Sequence, residues 1–446
     1  MITMLVAAAS LAATPVRLEE VRQQSRQSVQ ALQAELDRQR AVQAVRSARA
    51  PLLPQVNLGA MVGAAYSGPQ RYYTTVPIID ASGAVSGYQL SPEDVPSSGR
   101  GLFDLNVGVS QLIYDAGRWA QLAQAGAQEE ATTGQAYETQ LTSELEGIRR
   151  FYQLYRTQRT RQVLEERVKD DLSQAERAQA LYEAGKRRKE DAISAQVNLG
   201  NDRIQALLQL SQIEAAEADL AAWILRPVTE EFVAVEPPAL SGAPVAAPSM
   251  ADAIRTAREN RPLVRALAAQ VRAAEEGIAV ARAGYVPRFT LNASYDRTGP
   301  TPNPFFTDPT KQNSLSASLN INWNLFSGFA TDAQAQDARI QRDKARLQLE
   351  QSERELDGEV RKAVATLASQ IQAAEVADKN RTLAREGLML AEERFNAGAS
   401  TTLEVRDAQL KVTNAELSFL ESRIDVEIAR AGLERSMGIL SRGVAQ

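Results

Sequence analysis

The chain has 446 residues, a formal net charge of −5, and neither cysteine nor histidine. Their absence excludes disulfides, thiol catalysis and cysteine-based metal sites, and it removes the commonest metal ligand and general base. We therefore predict a protein that is not an enzyme and that binds no cofactor or metal. Charges of both signs are mixed along the chain and give no reason to expect nucleic acid as a partner. Aromatic residues make up only 5%, and the dominance of Ala, Gln, Glu, Arg and Leu is typical of long helices or coiled coils.

The chain begins with an apolar run that ends in small residues, Met1 to Ala13. This pattern resembles the apolar core and cleavage region of a secretory signal, so we expect residues 1–14 to be a signal peptide or its remnant. A frayed apolar tail is the alternative. No run of about 18 apolar residues occurs, so the sequence predicts no transmembrane helix.

Four short stretches alternate apolar and polar residues with period two, which predicts β-strands with one apolar and one polar face. They are 55–66, 103–110, 289–296 and 315–325, and loops at 67–102 and 298–313 join them in pairs. The polar faces carry Asn, Ser and Gly with almost no charge, which suits transmembrane-barrel strands facing a lumen. The predicted lumen residues are Asn57, Asn106, Asn292, Asn320 and Asn322.

Two proline-free tracts predict long helices, because their apolar residues recur at steps of three and four. The first arms, 118–183 and 329–396, would each be on the order of 100 Å long at 1.5 Å per residue. The tracts break at Gly185 and Gly398, as expected for the residue that follows a helix end. Thr401 and Glu404 then fit a capping box that begins the next helix. Each tract is therefore predicted to be a helical hairpin.

The two halves of the chain repeat the order helix, strand, loop, strand, long helix, Gly turn, helix. Ala48-Arg-Ala-Pro-Leu-Leu-Pro-Gln-Val56 corresponds to Ala281-Arg-Ala-Gly-Tyr-Val-Pro-Arg-Phe289. We therefore divide the chain into a first repeat, 15–226, a Pro- and Ala-rich connector, 227–250, and a second repeat, 251–446.

Four strands are too few to close a barrel, since about eight are the practical minimum. An open sheet edge in lipid would leave unpaired backbone groups. If these strands span a membrane, the chain must oligomerise, and its helices would continue the barrel as a tube. The predicted fold is an α+β membrane protein with long coiled-coil hairpins.

The order of elements, the helix-to-strand junction at 48–55 and the paired aromatic-x-Ala-Gly turns resemble the TolC family of outer-membrane efflux and secretion channels. The resemblance runs over residues 15–440. It implies a homotrimer with a twelve-stranded transmembrane β-barrel, four strands from each chain, above a periplasmic α-helical tunnel. It also implies the exit duct of a tripartite efflux or type I secretion system in the outer membrane of a Gram-negative bacterium. The partners would be a periplasmic adaptor (membrane fusion) protein and an inner-membrane pump of RND, ABC or MFS type.

The resemblance places the periplasmic aperture at Glu404 and Asp407, in the first turns of a helix that begins at the tip. In a trimer, six carboxylates around a narrow axis would favour cations. The residues alone favour a local role, because Glu404 completes a capping box and acids are favoured near a helix N-terminus. With the resemblance, we expect the aperture.

The family closes its hairpins with a latch in which a Tyr bonds an Asp, and the matching positions here are Phe395 and Asp191. Phe395 has no hydroxyl, so this bond cannot form. Ser400 stands where the family has a basic partner, and Glu190 replaces a small polar residue. We therefore expect other contacts to hold the closed state.

A basic run occupies the first tip, where the family is usually apolar: Lys186, Arg187, Arg188 and Lys189. It could pair with Glu404 or Asp407, or dock a negatively charged adaptor tip. The alternative is a solvated turn whose cations are favoured at a helix C-terminus.

Two other classes of protein remain open. A structural coiled-coil scaffold would explain the helices but not the duplicated strands. An autonomous diffusion porin would explain the strands but not the two long hairpins. Neither the cargo nor the class of pump can be deduced from the sequence.

Overall fold

The computed structural model describes residues 14–186, 188–242, 246–308, 310, 313–397 and 399–440. Residues 1–13 of the predicted signal segment lie outside the described residues, and so do Arg187 and Gly398 of the predicted tips. The chain forms two compact units. The first takes the residues up to Val42, Ala127–Arg272 and the residues from Asp343 onwards, and the second takes Gln43–Gly126 and Ala273–Arg342.

Helices account for most of the described chain. They are α1 (Leu18–Ser25), α2 (Val29–Arg49), α3 (Ala116–Glu183), α4 (Lys189–Trp223), α5 (Pro238–Ser241), α6 (Met250–Asn260), α7 (Pro262–Arg282), α8 (Asn303–Phe306), α9 (Ala330–Asn396) and α10 (Thr402–Ser436). The predicted long arms agree with α3 and α9 to within two residues at either end. Along the described part of the chain, no helix is apolar enough over sufficient length to cross a membrane.

Among the described residues, the strands form three separate sheets. They are β1 (Thr14–Val16), β2 (Gln55–Ser67), β3 (Gln70–Ile79), β4 (Val85–Val95), β5 (Ser98–Tyr114), β6 (Phe232–Ala234), β7 (Arg288–Gly299) and β8 (Asn313–Asn322). β5 begins before its predicted start and β8 ends before its predicted end, whereas all four predicted strands exist.

The second unit contains an antiparallel sheet in the order β2-β5-β7-β8. Its register pairs Leu58 with Val107, Val107 with Tyr295 and Tyr295 with Leu315. The apolar residues of all four strands therefore share one face, as the alternation predicts. The opposite face carries the polar residues, including the predicted lumen set Asn57, Asn106, Asn292, Asn320 and Asn322.

The prediction of a loop over 67–102 is wrong, because β3 and β4 form an antiparallel hairpin there. β3 contains the paired aromatics Tyr72 and Tyr73 followed by β-branched residues, a composition that favours strands. The turn closes where the Asp80 amide donates to the Ala84 carbonyl at 2.9 Å. Gly83 has a φ of 83°, a conformation that suits glycine. The Gly and Pro residues of this segment led to the prediction of a loop, but they are compatible with a two-stranded hairpin.

The first unit is held by an apolar core between long helices. The helices α3, α4 and α10 contribute large buried side chains to this core, among them Phe151, Tyr152, Leu220 and Ile424. The connector at 227–250, predicted to be irregular, contributes β6, which pairs in parallel with β1. Phe232 of β6 is buried in the same core. The connector is therefore anchored to the helices by a short strand and by apolar packing.

Candidate gate at the helical tips

The first helical hairpin turns through a glycine whose backbone conformation is left-handed. Gly185 has a φ of 67°, and its amide donates to the Tyr182 carbonyl at 2.9 Å. The Lys186 amide donates to the Leu181 carbonyl at 2.9 Å. These two bonds form a Schellman motif, in which the C′ residue is favourably glycine. The predicted turn at Gly185 is thus present.

The second hairpin turn contains a hydrogen bond like the one from Lys186 to Leu181, which spans five residues. The Ala399 amide donates to the Arg394 carbonyl at 2.8 Å, again across five residues. Thr401 then caps α10, since its Oγ1 accepts from the Glu404 amide at 3.3 Å. The Glu404 carboxylate accepts from Ser400 Oγ at 2.8 Å. The tip of the second hairpin therefore contains the Thr401 half of the predicted capping box, while the Glu404 carboxylate bonds the Ser400 hydroxyl.

The two predicted aperture acids are exposed near the start of α10. Oε2 of Glu404 lies 3.9 Å from Nη2 of Arg394, and Oδ2 of Asp407 lies 2.5 Å from Nζ of Lys411. Among the described residues, their partners therefore come from the second hairpin, rather than from Lys186, Arg188 or Lys189 of the first. Both pairs are at least half exposed, so solvent screens them and they contribute little to stability.

The basic run lies between α3 and α4. Lys186 follows Gly185, Arg188 is extended and precedes α4, and Lys189 is its first residue. All three side chains are exposed. Glu190 lies in the first turn of α4, where an acid is favoured by the helix dipole.

A cavity of about 260 Å³ lies between the two hairpins close to their turns. Asp191 and Phe395, the positions of the family's latch, both line it. Leu181 and Val405 contribute apolar side chains to the lining of the cavity, and Arg177 contributes a positive charge. The structure thus brings the two latch positions to one cavity, although Phe395 has no hydroxyl that could bond the carboxylate.

A buried charge cluster joins the two hairpins next to this cavity. Nη1 of Arg406 on α10 lies 2.6 Å from Oδ2 of Asp171 on α3, and Nη2 lies 2.9 Å from Oδ2 of Asp202 on α4. Nη2 of Arg167 lies 2.7 Å from Oδ1 of Asp202. Both aspartates are only 4% exposed. We call Arg167, Asp171, Asp202 and Arg406 the tip cluster.

The two aspartates of the tip cluster titrate differently. Burial raises the pKa of Asp171 to about 6, and the hydrogen bond with Asp202 adds to this rise against the opposing effect of Arg406. Burial acts in the same direction on Asp202, but hydrogen bonds with Asp171 and Arg406 outweigh it and lower the pKa. Asp171 is therefore the more readily protonated of the two aspartates.

Sequence reasoning missed the tip cluster, although one signal for it exists. Asp171 follows the buried Leu164 by seven residues, so it occupies a position of the apolar stripe rather than of the solvated face. A lone acid in such a stripe requires a partner. The sequence does not reveal that this partner is Arg406, which lies 235 residues further along the chain.

Comparison with known proteins identifies the family. The model of the outer membrane efflux protein family matches residues 18–224 and 253–439. The chain belongs to this family. Over 431 residues it is 22% identical to the outer membrane protein TolC of Vibrio cholerae, a match that covers 95% of this chain and 91% of the relative.

Solved structures of outer membrane channels share the fold of this efflux protein. One is the open state of the Neisseria gonorrhoeae MtrE channel, with a TM-score of 0.75 and 18% identity over 96% of this chain and 90% of MtrE. Another is the Campylobacter jejuni CmeC channel, with a TM-score of 0.73 and 13% identity over 96% of this chain and 88% of CmeC. The predicted α+β fold, family and outer-membrane location with a periplasmic helical tunnel are therefore confirmed, and the family is one of transport proteins rather than enzymes.

Proposed function

We propose that this outer membrane efflux protein is the trimeric exit duct of a tripartite efflux or type I secretion system. The observation that carries the proposal is the sheet β2-β5-β7-β8, whose outer strands β2 and β8 each have one neighbour among the described residues. Backbone groups on such edges must be paired if the sheet lies in lipid. Pairing β8 of one copy with β2 of the next satisfies both edges, and three copies give a barrel of twelve strands.

The exposure of the apolar face supports a lipid environment. Leu58 is 73% exposed and Leu315 is 81% exposed, although both belong to the aligned apolar face of the sheet. A contiguous apolar surface of this kind requires a lipid or protein neighbour. The polar face with its five asparagines would then line the lumen. This is the arrangement expected of a transmembrane barrel with an aqueous interior.

The division of labour is the one that membership of the family implies. The duct supplies a passage, while an inner-membrane pump of RND, ABC or MFS type supplies the energy and a periplasmic adaptor joins the two. Glu404 and Asp407 would form the cation-favouring aperture, and the hairpin turns, with the basic run, would contact the adaptor. The two repeats, 15–226 and 251–446, would supply two strands and one hairpin each, joined by the connector 227–250.

The number of chains in the membrane particle tests this proposal. The protein would be extracted with detergent from purified outer membranes, and its mass measured by light scattering corrected for bound detergent. We expect three chains of 48.5 kDa before any processing. A monomer recovered without detergent would contradict the duct and favour a coiled-coil scaffold. A trimer whose deletion leaves export unchanged would favour a diffusion porin.

A further inference from the structure

The segment that joins β7 to β8 packs onto the apolar face of the four-stranded sheet. The ring of Phe305 in α8 meets the ring of Phe103 in β5 edge to face, with the two centroids 6.2 Å apart. Phe103 belongs to the apolar face, because it stands four residues before Val107 on the same strand. We call residues 300–308 the rim segment. Its helix α8 therefore lies on the apolar side of the sheet and not on the side of the asparagines.

A glycine of β5 allows the rim segment to approach this closely. A Cβ added at Gly101 would lie 2.5 Å from the carbonyl oxygen of Pro300 and 2.7 Å from Cε2 of Phe103. Gly101 stands two residues before Phe103, so both belong to the same face of the strand. The missing side chain thus leaves the space in which the backbone of the rim segment crosses β5.

A buried arginine of β7 holds the other end of the rim segment. Arg297 pairs with Leu105 and lies two residues beyond Tyr295, so it belongs to the apolar face. It is nevertheless only 4% exposed, since its Nη2 donates to Thr307 Oγ1 at 3.1 Å and to the Asp308 carbonyl at 3.0 Å. A charged side chain on a lipid-facing surface is destabilising unless polar groups surround it. The rim segment therefore shields Arg297, and Arg297 fixes the segment to the sheet.

The rim segment presents a second phenyl ring away from the sheet. Phe306 is 86% exposed, and its ring lies 6.2 Å from that of Phe305, centroid to centroid. Because Phe305 packs on Phe103, the ring of Phe306 extends the apolar surface of the sheet rather than standing alone. An apolar surface that is extended in this way requires an apolar neighbour.

The rim segment lies at the end of the sheet that faces away from the tunnel. The helix α7 leads into β7 near Arg288 and α9 follows β8, whereas Arg297 lies at the opposite end of β7. Arg297 is nine positions from Arg288, which corresponds to about 31 Å along the strand and, at a tilt of about 40°, to a height of about 23 Å. Membrane barrels carry an apolar band about 25 Å tall. The rim segment is therefore level with the outer boundary of the hydrocarbon.

We propose that the rim segment is a membrane anchor on the outer wall of the duct, in which Phe306 inserts among the acyl chains of the outer leaflet beside their headgroups. Arg297 is its positioning residue. Apolar side chains at such a boundary bind the membrane by leaving water while their polar neighbours stay hydrated. This inference rests on the proposed duct, because it requires the apolar face of the sheet to lie in lipid.

The position of α8 favours lipid over a second copy of the chain as the neighbour of Phe306. α8 contacts β5 and β7, which are the two interior strands of the sheet. Neighbouring copies would meet at β2 and β8, which are the two edges. The surface around Phe306 is therefore set back from the place where chains join.

Spin labelling of the trimer in phosphatidylcholine vesicles tests the anchor. Because the chain has no cysteine, Phe306→Cys, Ala317→Cys and Tyr88→Cys each carry a single nitroxide. Oxygen reaches labels in hydrocarbon, and a neutral nickel complex reaches labels in water. We expect the ratio of oxygen to nickel accessibility at Phe306→Cys to exceed that at Tyr88→Cys several-fold, and to stay below that at Ala317→Cys.

The two reference positions are matched to this comparison. Ala317 lies on the apolar face near the middle of β8 and reports the interior of the membrane. Tyr88 is an aromatic residue of β4 that is 71% exposed. Ser67 pairs with Ser98 and Gln70 pairs with Val95, so the β3–β4 hairpin continues β2 and β5 outward without an inserted residue. Tyr88 therefore reports the water beyond the membrane.

A second variant tests the part played by Arg297. Arg297→Met, combined with the label at Phe306→Cys, removes the hydrogen bonds to Thr307 and Asp308. We expect the spectrum of the label to sharpen as the rim segment is released. Arg71→Met is the control, because it removes an exposed arginine that pairs with Asp94 in the β3–β4 hairpin. It should leave the spectrum unchanged.

The outcomes separate the anchor from the duct. A water-like ratio at Phe306→Cys beside a lipid-like ratio at Ala317→Cys would overturn the anchor and leave the duct intact. Low accessibility of the label at Phe306→Cys to both reagents would show a protein neighbour and would also overturn it. An unchanged spectrum in Arg297→Met would overturn the role of that arginine. Water-like ratios at both Phe306→Cys and Ala317→Cys would overturn the duct, and the anchor with it.

Discussion

At the scale of single residues, Glu404 takes part in the capping of its helix while its charge stays exposed. Its amide is bound by the Thr401 cap, and its carboxylate is bound by Ser400. Half of its side chain is nevertheless exposed, and its pair with Arg394 is long at 3.9 Å. The local role expected of an acid near a helix N-terminus therefore leaves the charge accessible to solvent, as the proposed aperture requires.

We predict that neutralising the aperture lowers the cation selectivity of the channel. In the double variant Glu404→Gln with Asp407→Asn, a trimer loses six negative charges near its axis, so the cation-to-anion permeability ratio should fall several-fold. The reversal potential in a KCl gradient measures this ratio. Glu386→Gln, an exposed acid of α9 further from the turn, is the control. An unchanged permeability ratio in the double variant would show that the two acids have only a local role at the N-terminus of α10.

At the scale of elements, the turn of the first hairpin depends on one residue. Gly185 adopts a φ of 67°, and apart from its two chain neighbours no atom of the described residues lies within 4 Å of a Cβ added there. The cost of a substitution is therefore conformational rather than steric. Gly387 lies inside α9 with equally open space around it, but in helical conformation.

We predict opposite effects of alanine at these two glycines. Gly185→Ala should destabilise the turn by about 1–2 kcal/mol, the cost of the left-handed conformation for an L-residue. Gly387→Ala should stabilise its helix by about 0.5–1 kcal/mol. Hydrogen exchange of peptides spanning 178–192 and 380–394 measures both effects. Equal exchange of the first peptide in Gly185→Ala and in the wild type would contradict the Schellman turn.

Elements differed in how well the sequence predicted them. The long helices were predicted to within two residues, because a proline-free, periodic tract has few alternatives to a helix. The β3–β4 hairpin was missed, because its Gly and Pro residues outweighed its aromatic and β-branched ones. Pro77 and Pro92 lie inside its strands, which is tolerated in a two-stranded sheet with both strands at an edge.

At the scale of the whole molecule, the four-stranded sheet ends in two edges. Within the sheet, β5 and β7 lie between β2 and β8, which places the two edge strands about 14 Å apart at normal strand spacing. Backbone hydrogen bonds between β2 and β8 of the same chain are therefore excluded. Contact between β2 and β8 can arise only between copies.

We predict that cysteines on these edges cross-link different chains. Asn57→Cys in β2 would be combined in turn with a cysteine at each polar-face position of β8, including Ser316, Ser318 and Asn320. The combination that matches the intermolecular register should yield linked trimers on oxidation of outer membranes. Asn57→Cys with Asn292→Cys, which places the second cysteine on an interior strand, should stay monomeric. Absence of linked species from every pair would contradict barrel closure between copies.

The sequence by itself determined the long helices, the four alternating strands and the family. Period-two alternation, long proline-free periodicity and glycine at a helix end are local properties, and each fixes local backbone geometry without reference to distant residues. The five asparagines lie on one face of the sheet because side chains alternate between the two faces along each strand. The antiparallel register then pairs polar positions with polar positions on neighbouring strands.

The tertiary structure alone decided which residues hold the hairpins together. Arg406, Asp171 and Asp202 lie on three helices, and no short-range pattern relates their positions. Their pairing depends on how the helices are rotated and shifted against one another, which the packing of many apolar side chains sets. The same packing removes water from the aspartates and raises the pKa of Asp171, a property that depends on surroundings that the local sequence does not specify.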